Sequence, residues 1–181
     1  MTLPDRLTLA RALAVPVVVA LFAWDFAAHA YWATAVFVVA MATDQIDGWL
    51  ARRWDQTSAF GSLLDPIADK VLVMASLVML IDEGVAPSWM VAAIVARELL
   101  VSGLRLAAIE KGVVIAARDL GKAKTWAQAV AVAIGGFAAA GAWSADVAWW
   151  ALLAALVLTW VSGLDYARVA PRMLRGGNAL L

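Results

Sequence analysis

Four aspartates stand in two pairs near the ends of two apolar stretches in the first half of the chain. Asp44 and Asp47 are three residues apart, and Asp65 and Asp69 are four residues apart. Side chains with these spacings lie on the same face of a helix. The 13-residue connection 53–65 leaves room for the two helices to run antiparallel. We therefore expect the four carboxylates to converge at one end of this helix pair.

Carboxylates in such a group repel one another unless a cation lies between them. The chain has no cysteine and one histidine, His29, so disulfides, thiol nucleophiles and cysteine-bound zinc are excluded. Oxygen ligands alone suit hard cations, namely Mg²⁺, Mn²⁺ or Ca²⁺. Four carboxylates are enough for two ions with shared ligands. Two such ions can clamp the attacking and leaving oxygens of a phosphoryl displacement.

Small and basic residues accompany the aspartates. Gly48, Ala51 and Gly61 leave room for a bulky ligand to approach the backbone. Arg52 offers a planar set of donors that suits a phosphate. Each also has a structural interpretation, because small residues permit close helix packing and an arginine at a helix end is typical of a cytoplasmic loop. The paired acids alone are also compatible with a proton or cation relay in a transporter.

The composition places these residues in a membrane protein. Of 181 residues, 65% are apolar and 15% are charged, against about 25% charged in an ordinary soluble domain. The mean hydropathy is +0.84. The 14 basic and 14 acidic residues cancel, which excludes a uniformly basic nucleic-acid binder. We predict a single membrane domain over residues 1–181.

A helix needs about 20 mostly apolar residues to span a bilayer. Six stretches meet this requirement, so the predicted fold class is an all-α polytopic membrane protein with six transmembrane helices. Small residues spaced by four in the fifth stretch, Ala131, Gly135 and Ala139, indicate tight helix packing or a dimer face. The six stretches cover residues 7–24, 31–52, 66–82, 87–109, 122–143 and 147–169.

The distribution of charge predicts the orientation. The turns at 25–30, 82–86 and 143–146 carry four acids and no Lys or Arg, while all 14 basic residues lie toward the opposite side. Loops rich in Lys and Arg stay in the cytoplasm, so we expect both termini there. Alternatively, the run that begins with Arg6 and Arg11 is a cleaved secretory signal, whose removal would leave five helices in the same orientation.

The aspartates and their neighbours read Asp-x2-Asp-Gly-x2-Ala-Arg-x8-Gly-x3-Asp-x3-Asp over residues 44–69. This segment resembles the signature of the CDP-alcohol phosphotransferase family at all eight of its positions. The resemblance implies a six-helix membrane enzyme, usually homodimeric, that transfers a phosphatidyl group from a CDP-linked lipid to an alcohol and releases CMP. It implies that the four aspartates ligate two divalent ions, Mg²⁺ or Mn²⁺, and that Asp69 is the general base. The CDP site would be lined by Gly48, Ala51, Arg52 and Gly61.

Two further segments resemble the branch of that family that makes phosphatidylglycerophosphate. They are Ala-Arg-Glu-Leu-Leu-Val-Ser-Gly-Leu-Arg at 96–105 and Gly-Lys-Ala-Lys-Thr-x2-Gln at 121–128. The segment 3–11 resembles the family's N-terminal entry, except that Asp5 replaces the usual asparagine. The resemblance covers most of residues 3–128.

Polar residues in the fourth apolar stretch fit this interpretation. Arg97 lies about ten residues into the helix, or about 15 Å deep, so it should face a polar cavity or a carboxylate. Glu98, Ser102 and Arg105 form a stripe on one face, and we assign supporting polar roles to Arg97, Glu98 and Ser102. We expect the phosphate of a phosphorylated acceptor to bind Arg105, Arg118, Lys122 and Lys124.

The predicted reaction transfers the phosphatidyl group of CDP-diacylglycerol to sn-glycerol 3-phosphate, in the bacterial cytoplasmic (inner) membrane with the active site facing the cytoplasm. The expected partners are those two substrates, the lipid bilayer and a second copy of the chain, without nucleic acid. One alternative is the same chemistry with serine, inositol phosphate or phosphatidylglycerol as acceptor. The other is a cation- or proton-coupled transporter, which should show inverted repeats and broken helices. The sequence shows neither inverted repeats nor broken helices.

Overall fold

A computed structural model describes the backbone of residues 3–54, 59–110 and 119–176, and the side chains of residues 9–43, 67–110 and 120–165. Within these ranges the backbone forms six α-helices and no strand, which confirms the all-helical prediction. The helices are α1 (Leu3–Ala23), α2 (His29–Trp54), α3 (Ala59–Asp82), α4 (Ser88–Glu110), α5 (Asp119–Ala139) and α6 (Ala145–Gly176).

The helices differ from the predicted apolar stretches in where they begin and end. α3 begins at Ala59 rather than at residue 66, and α2 runs to Trp54. The expected 13-residue connection is therefore wrong, since only residues 55–58 separate the two helices. The predicted bounds followed hydropathy. A helix is held by hydrogen bonds between backbone amides and carbonyls, which polar residues form as well as apolar ones, so it can extend beyond an apolar stretch.

Two of the three short turns have a glycine with positive φ as their second residue. Gly84 follows α3 with φ of 71°, and Gly141 follows α5 with φ of 77°. After α3, the Val85 amide donates to the Leu80 carbonyl at 3.1 Å, a bond typical of a helix that ends in the left-handed conformation. Glycine adopts this conformation without strain because it has no Cβ. The turns reverse the chain, so the helices on either side run antiparallel.

A hydrogen bond joins the start of α2 to the turn after α3. It lies at the end of the bundle that we call the turn end, which consists of the turns 24–28, 83–87 and 140–144 and the helix ends beside them. His29 Nε2 lies 2.9 Å from Glu83 Oε1, and His29 Nδ1 lies 3.0 Å from the Phe26 carbonyl oxygen. The Glu83 carboxylate and then the Phe26 carbonyl raise the pKa of His29 above 6.5, because both accept a hydrogen bond from the protonated ring. The predicted outward turn thus contains a specific contact.

The core follows from close packing between the helices. α1 packs against α2 and α3, and α5 packs extensively against α6. The small residues of α5 lie inside the chain, since Ala131 is fully buried and a Cβ at Gly135 would come within 2.6 Å of Leu80 Cδ1. This stripe therefore serves helix packing within one chain. The largest fully buried apolar side chains are Phe37, Leu72, Leu77, Leu80, Met90, Ile94 and Leu152.

The outer surface is also rich in large apolar side chains. Leu13, Leu99, Leu106 and Trp150 are each more than half exposed. Among the described residues, one segment, Ala145–Asp165 of α6, is long and apolar enough by itself to cross a membrane. Apolar patches of this extent mark surfaces that contact another apolar phase.

Candidate active site

The buried side of the bundle changes from apolar to polar at a similar level on four helices. On α4, the buried Ile94 is followed one turn later by the buried Arg97 and Glu98. We call the inward polar side chains beyond this change the polar level. Its members on α3, α4, α5 and α6 are Asp69, Lys70, Arg97, Glu98, Ser102, Lys124, Gln128, Thr159 and Ser162.

Glu98 accepts hydrogen bonds from three side chains at the centre of the polar level. Arg97 Nη1 lies 2.8 Å from Glu98 Oε1, the Lys124 ammonium forms an ion pair with the same oxygen, and Gln128 Nε2 lies 3.3 Å from it. All four side chains are nearly inaccessible to solvent. A buried carboxylate requires such partners, because an unpaired charge removed from water costs several kcal/mol, on the order of 3–5. Glu98 therefore joins α4 to α5.

Two hydroxyls of α6 complete these contacts. Arg97 Nη2 donates to Ser162 Oγ at 2.9 Å, and Gln128 Nε2 donates to Thr159 Oγ1 at 2.8 Å. Gly163 allows the arginine to lie against α6, since a Cβ there would come within 2.9 Å of Arg97 Nε. The prediction that Arg97 faces a carboxylate agrees with this geometry.

Lys70 of α3 is linked through a serine to the backbone of Glu98. Its Nζ donates to Ser102 Oγ at 2.5 Å, and Ser102 Oγ donates to the Glu98 backbone carbonyl at 2.6 Å. Ser102 lies four residues after Glu98, so the second bond follows from helix geometry. Lys70 is half-buried, and its ammonium points to the region between α3, α4 and α5.

Arg11 of α1 forms an ion pair with Asp69 of α3. Arg11 Nη1 lies 2.8 Å from Asp69 Oδ1. The arginine side chain is 2% exposed, whereas the aspartate is 24% exposed. A guanidinium matches a carboxylate in geometry and charge. Arg11 thus anchors one oxygen of Asp69 while part of the carboxylate stays accessible.

A cavity of about 170 Å³ lies between Asp69 and the Glu98 contacts. Its polar wall is formed by α3, α4 and α5, and its apolar wall includes Leu77 and Ile94. This volume is below the about 300–1,000 Å³ of sites for drug-sized ligands. The cavity therefore suits a ligand smaller than a drug-sized molecule. The polar lining residues are Asp69, Lys70, Glu98, Lys124, Thr125 and Gln128.

Helix periodicity explains why these residues face one another. Glu98 and Ser102 are four apart on α4, Lys124 and Gln128 are four apart on α5, and Thr159 and Ser162 are three apart on α6. Such spacings place side chains on a common face. Each of these three helices therefore contributes a pair to the polar level, and helix packing brings the pairs together.

The predicted site residues divide between described and undescribed parts of the chain. Asp69 lies on the cavity wall, and Lys124 is buried against Glu98. Arg105 is half-buried on α4, and Lys122 is exposed on α5. The side chains outside the described residues are those of Asp44, Asp47, Gly48, Ala51, Arg52, Gly61, Asp65 and Arg118. Their predicted roles stay predictions.

The described part of the chain holds no group of three or more metal-ligating side chains. Of the four predicted ligands, Asp69 is the one whose side chain is described. Its donor atoms are hard oxygens, with one of them paired to Arg11. A set of four such carboxylates fits a hard divalent cation such as Mg²⁺ or Mn²⁺.

Sequence reasoning missed several members of the polar level. It gave no role to Lys70, Thr159 or Ser162, and it used Arg11 only in an N-terminal motif and in the alternative of a secretory signal. One signal was available, since a polar residue within an apolar helix faces a partner or a cavity. That rule does not name the partner. Arg97 and Ser162, for example, are 65 residues apart along the chain, so spacing does not reveal that they meet.

Comparison with known proteins agrees with the aspartate motif. The sequence profile of the family described as CDP-alcohol phosphatidyltransferase matches residues 1–161. A Bacillus subtilis protein named CDP-diacylglycerol–glycerol-3-phosphate 3-phosphatidyltransferase is 43% identical over 142 residues, which cover 72% of this chain and 74% of that protein. Proteins of the same name from Escherichia coli (strain K12) and Salmonella choleraesuis are 41% identical over 137 residues, with the same shares covered.

The profile match covers the whole of α1 to α5 and about half of α6, and it includes the complete motif at 44–69. This confirms the resemblance seen in the sequence. The chain belongs to the CDP-alcohol phosphatidyltransferase family.

Proposed function

We propose that this protein transfers the phosphatidyl group of CDP-diacylglycerol to sn-glycerol 3-phosphate, giving phosphatidylglycerophosphate and CMP. The observation that carries the proposal is the complete aspartate motif at 44–69 inside a region matched by relatives that bear the name of this activity. The small cavity beside Asp69, with two lysines on its wall, supports a small phosphorylated acceptor.

The reaction forms one phosphorus–oxygen bond and breaks another. The 1-hydroxyl oxygen of glycerol 3-phosphate attacks the lipid-linked phosphorus, and CMP leaves with the electrons of the broken bond. Asp69 accepts the proton of that hydroxyl. General-base assistance of this kind contributes about 10²- to 10⁴-fold to a rate.

Two divalent ions fit the donor set of the family motif. Asp44, Asp47, Asp65 and Asp69 would hold them. When bound, Mg²⁺ or Mn²⁺ neutralises the diphosphate and stabilises the leaving group. The four aspartates carry four negative charges, which two divalent ions match. Gly48, Ala51, Arg52 and Gly61 would line the CDP site.

Arg11 and the basic side chains perform the positioning. Arg11 holds Asp69 at 2.8 Å, so the carboxylate keeps one orientation toward the acceptor hydroxyl. Lys124 lies on the cavity wall beside Glu98. Together with Arg105, Arg118 and Lys122 it would bind the acceptor phosphate. Fixing both reactants converts an encounter in solution into a reaction within one complex, which lowers the entropic barrier.

The surface and the helix arrangement support a membrane setting. Large apolar side chains are exposed around the bundle, and α6 contains a segment able to span a bilayer. We infer that all six helices span the bacterial inner membrane as one domain over residues 1–181. By the positive-inside rule, both termini and the aspartates face the cytoplasm. The assembly is a homodimer, as is usual for the family.

The test is CMP release by the purified protein with CDP-diacylglycerol, Mg²⁺ or Mn²⁺, and a panel of acceptors. We expect turnover with glycerol 3-phosphate and none with serine, inositol phosphate or phosphatidylglycerol. Omission of the divalent ion should abolish turnover. Release of CMP with another alcohol but not with glycerol 3-phosphate would show that the acceptor assignment is wrong.

A further inference from the structure

We propose that Lys70, held by Ser102, is a further ligand of the acceptor phosphate and binds it together with Lys124 in the cavity beside Asp69. This inference rests on the proposed function, because it assigns a residue to the acceptor of that reaction. Lys70 immediately follows the last aspartate of the motif.

Lys70 is placed to meet a ligand of the cavity. It lines the same cavity as Asp69 and Lys124. The two lysines come from different helices, α3 and α5, which bring them to one cavity. A phosphate between them would lie next to Asp69, which keeps the acceptor hydroxyl within reach of the proposed base.

The Lys70 ammonium can donate more hydrogen bonds than it makes to the described residues. A lysine ammonium has three donor hydrogens. Among the described residues, Lys70 donates one hydrogen bond, to Ser102 Oγ at 2.5 Å. Ser102 is fixed by its own bond to the Glu98 carbonyl at 2.6 Å. The ammonium is therefore oriented by one bond and retains donors for a ligand.

The positive charge on the cavity wall also favours a phosphate. Among the described residues, Asp69 pairs with Arg11, and Glu98 pairs with Arg97 as well as with Lys124. Both carboxylates on the wall therefore have an arginine partner, and the two lysines add positive charge beside them. A phosphate monoester carries about two negative charges at neutral pH and would compensate this charge, whereas an uncharged alcohol such as glycerol would not.

The experiment measures steady-state CMP release with saturating CDP-diacylglycerol and varied glycerol 3-phosphate. For Lys70→Met, which keeps the length of the side chain without its charge, we expect the KM for glycerol 3-phosphate to rise about 10- to 100-fold, as for the loss of one charged hydrogen bond. The KM for CDP-diacylglycerol should change by less than about twofold, since no bond to that substrate is lost. Lys70→Arg should recover most of the acceptor affinity.

Ser102 is a positioning residue in this arrangement. Ser102→Ala removes the oxygen that orients Lys70, so it should raise the same KM by a smaller factor, and Ser102→Thr should restore it. Asp82→Asn, on the opposite end of α3 and exposed, is the matched control and should leave both KM values unchanged.

A direct measurement keeps the inference testable if the Lys70 variants do not fold. Acetylation of Lys70 in the wild-type protein, followed by mass spectrometry, should slow when glycerol 3-phosphate is present and stay unchanged with glycerol. An equal rate of acetylation with glycerol 3-phosphate and with glycerol would overturn the role of Lys70. An unchanged acceptor KM in Lys70→Met would also overturn it. By contrast, a wild-type protein that uses serine and not glycerol 3-phosphate would overturn the proposed function itself.

Discussion

The half of the bundle near the turns and the half beyond Ile94 are built from different kinds of contact. Near the turns, the interior consists of fully buried apolar side chains such as Leu80, Met90 and Leu152. In the other half, the same helices bury Arg97, Glu98 and Gln128. The helices are continuous through both halves, so the change of character lies in the side chains alone.

The difference indicates that the apolar half mainly stabilises the bundle and that the polar half serves its function. Apolar side chains pack without regard to direction and need no specific partner. Buried charged groups need specific partners and gain little net stability over apolar ones of similar volume. Buried charged groups are therefore not explained by stability alone. Their concentration at one level, beside Asp69 and its cavity, indicates a site for polar ligands.

The largest effect on activity is expected from Asp69→Asn. An asparagine cannot accept the acceptor proton, so turnover should fall about 100-fold or more, the usual contribution of a general base. CMP release with CDP-diacylglycerol and glycerol 3-phosphate measures it. Asp82→Asn, in the other half of α3, should retain wild-type turnover. Near-normal turnover of Asp69→Asn would remove this residue from the reaction.

Removal of Glu98 should give the largest loss of stability in the polar half. Glu98→Ala leaves Arg97 and Lys124 buried without their common carboxylate, at a cost of about 3–5 kcal/mol. Thermal unfolding in detergent would show a clearly lower Tm. Glu110→Ala, an exposed glutamate at the end of the same helix, provides the control and should leave the Tm unchanged. A variant at Glu98 as stable as the control would contradict the role of these ion pairs.

An apolar substitution in the other half should change stability without changing substrate affinity. Leu80 is fully buried and contacts Gly135, so Leu80→Ala should cost about 2–5 kcal/mol through lost contacts and a residual cavity. Val78→Ala, at an exposed position of α3, should cost much less. Steady-state kinetics below the Tm should give wild-type KM values for both. A raised KM for glycerol 3-phosphate in Leu80→Ala would show that the two halves are coupled.

The smallest effect concerns the turn end. Contact with Glu83 raises the pKa of His29 above 6.5, so the folded state binds the proton more tightly than the unfolded state. The contact therefore stabilises fully below about pH 6.5, and its contribution is lost as the pH rises through the raised pKa. For a partly exposed pair we expect about 0.2–1 kcal/mol.

This pH dependence is measured as the Tm difference between the wild-type protein and Glu83→Gln from pH 5.5 to 8.5. The difference should be largest at the acid end and shrink toward the alkaline end. A constant difference across the range would mean that the protonated histidine does not contribute.

How far the sequence predicts the molecule depends on the range of the interaction. The six helices could be read from hydropathy because each depends on its own residues. Their bounds could not, since α3 continues back to Ala59 through less apolar residues. The polar stripe on α4 could also be read, because Glu98 and Ser102 are fixed relative to one another by helix geometry. The role of Lys70 could not, because it depends on how α3 faces α4 and α5.

The sequence by itself determined the family, the aspartate motif and the absence of cysteine chemistry, because these depend only on residue types and spacing along the chain. The tertiary structure decided which distant residues meet. It pairs Arg11 with Asp69, Lys124 with Glu98 and His29 with Glu83. The last two pairs are 26 and 54 residues apart. The physical reason is that a helix fixes the direction of each side chain on its own surface, while packing between helices decides which surfaces face each other.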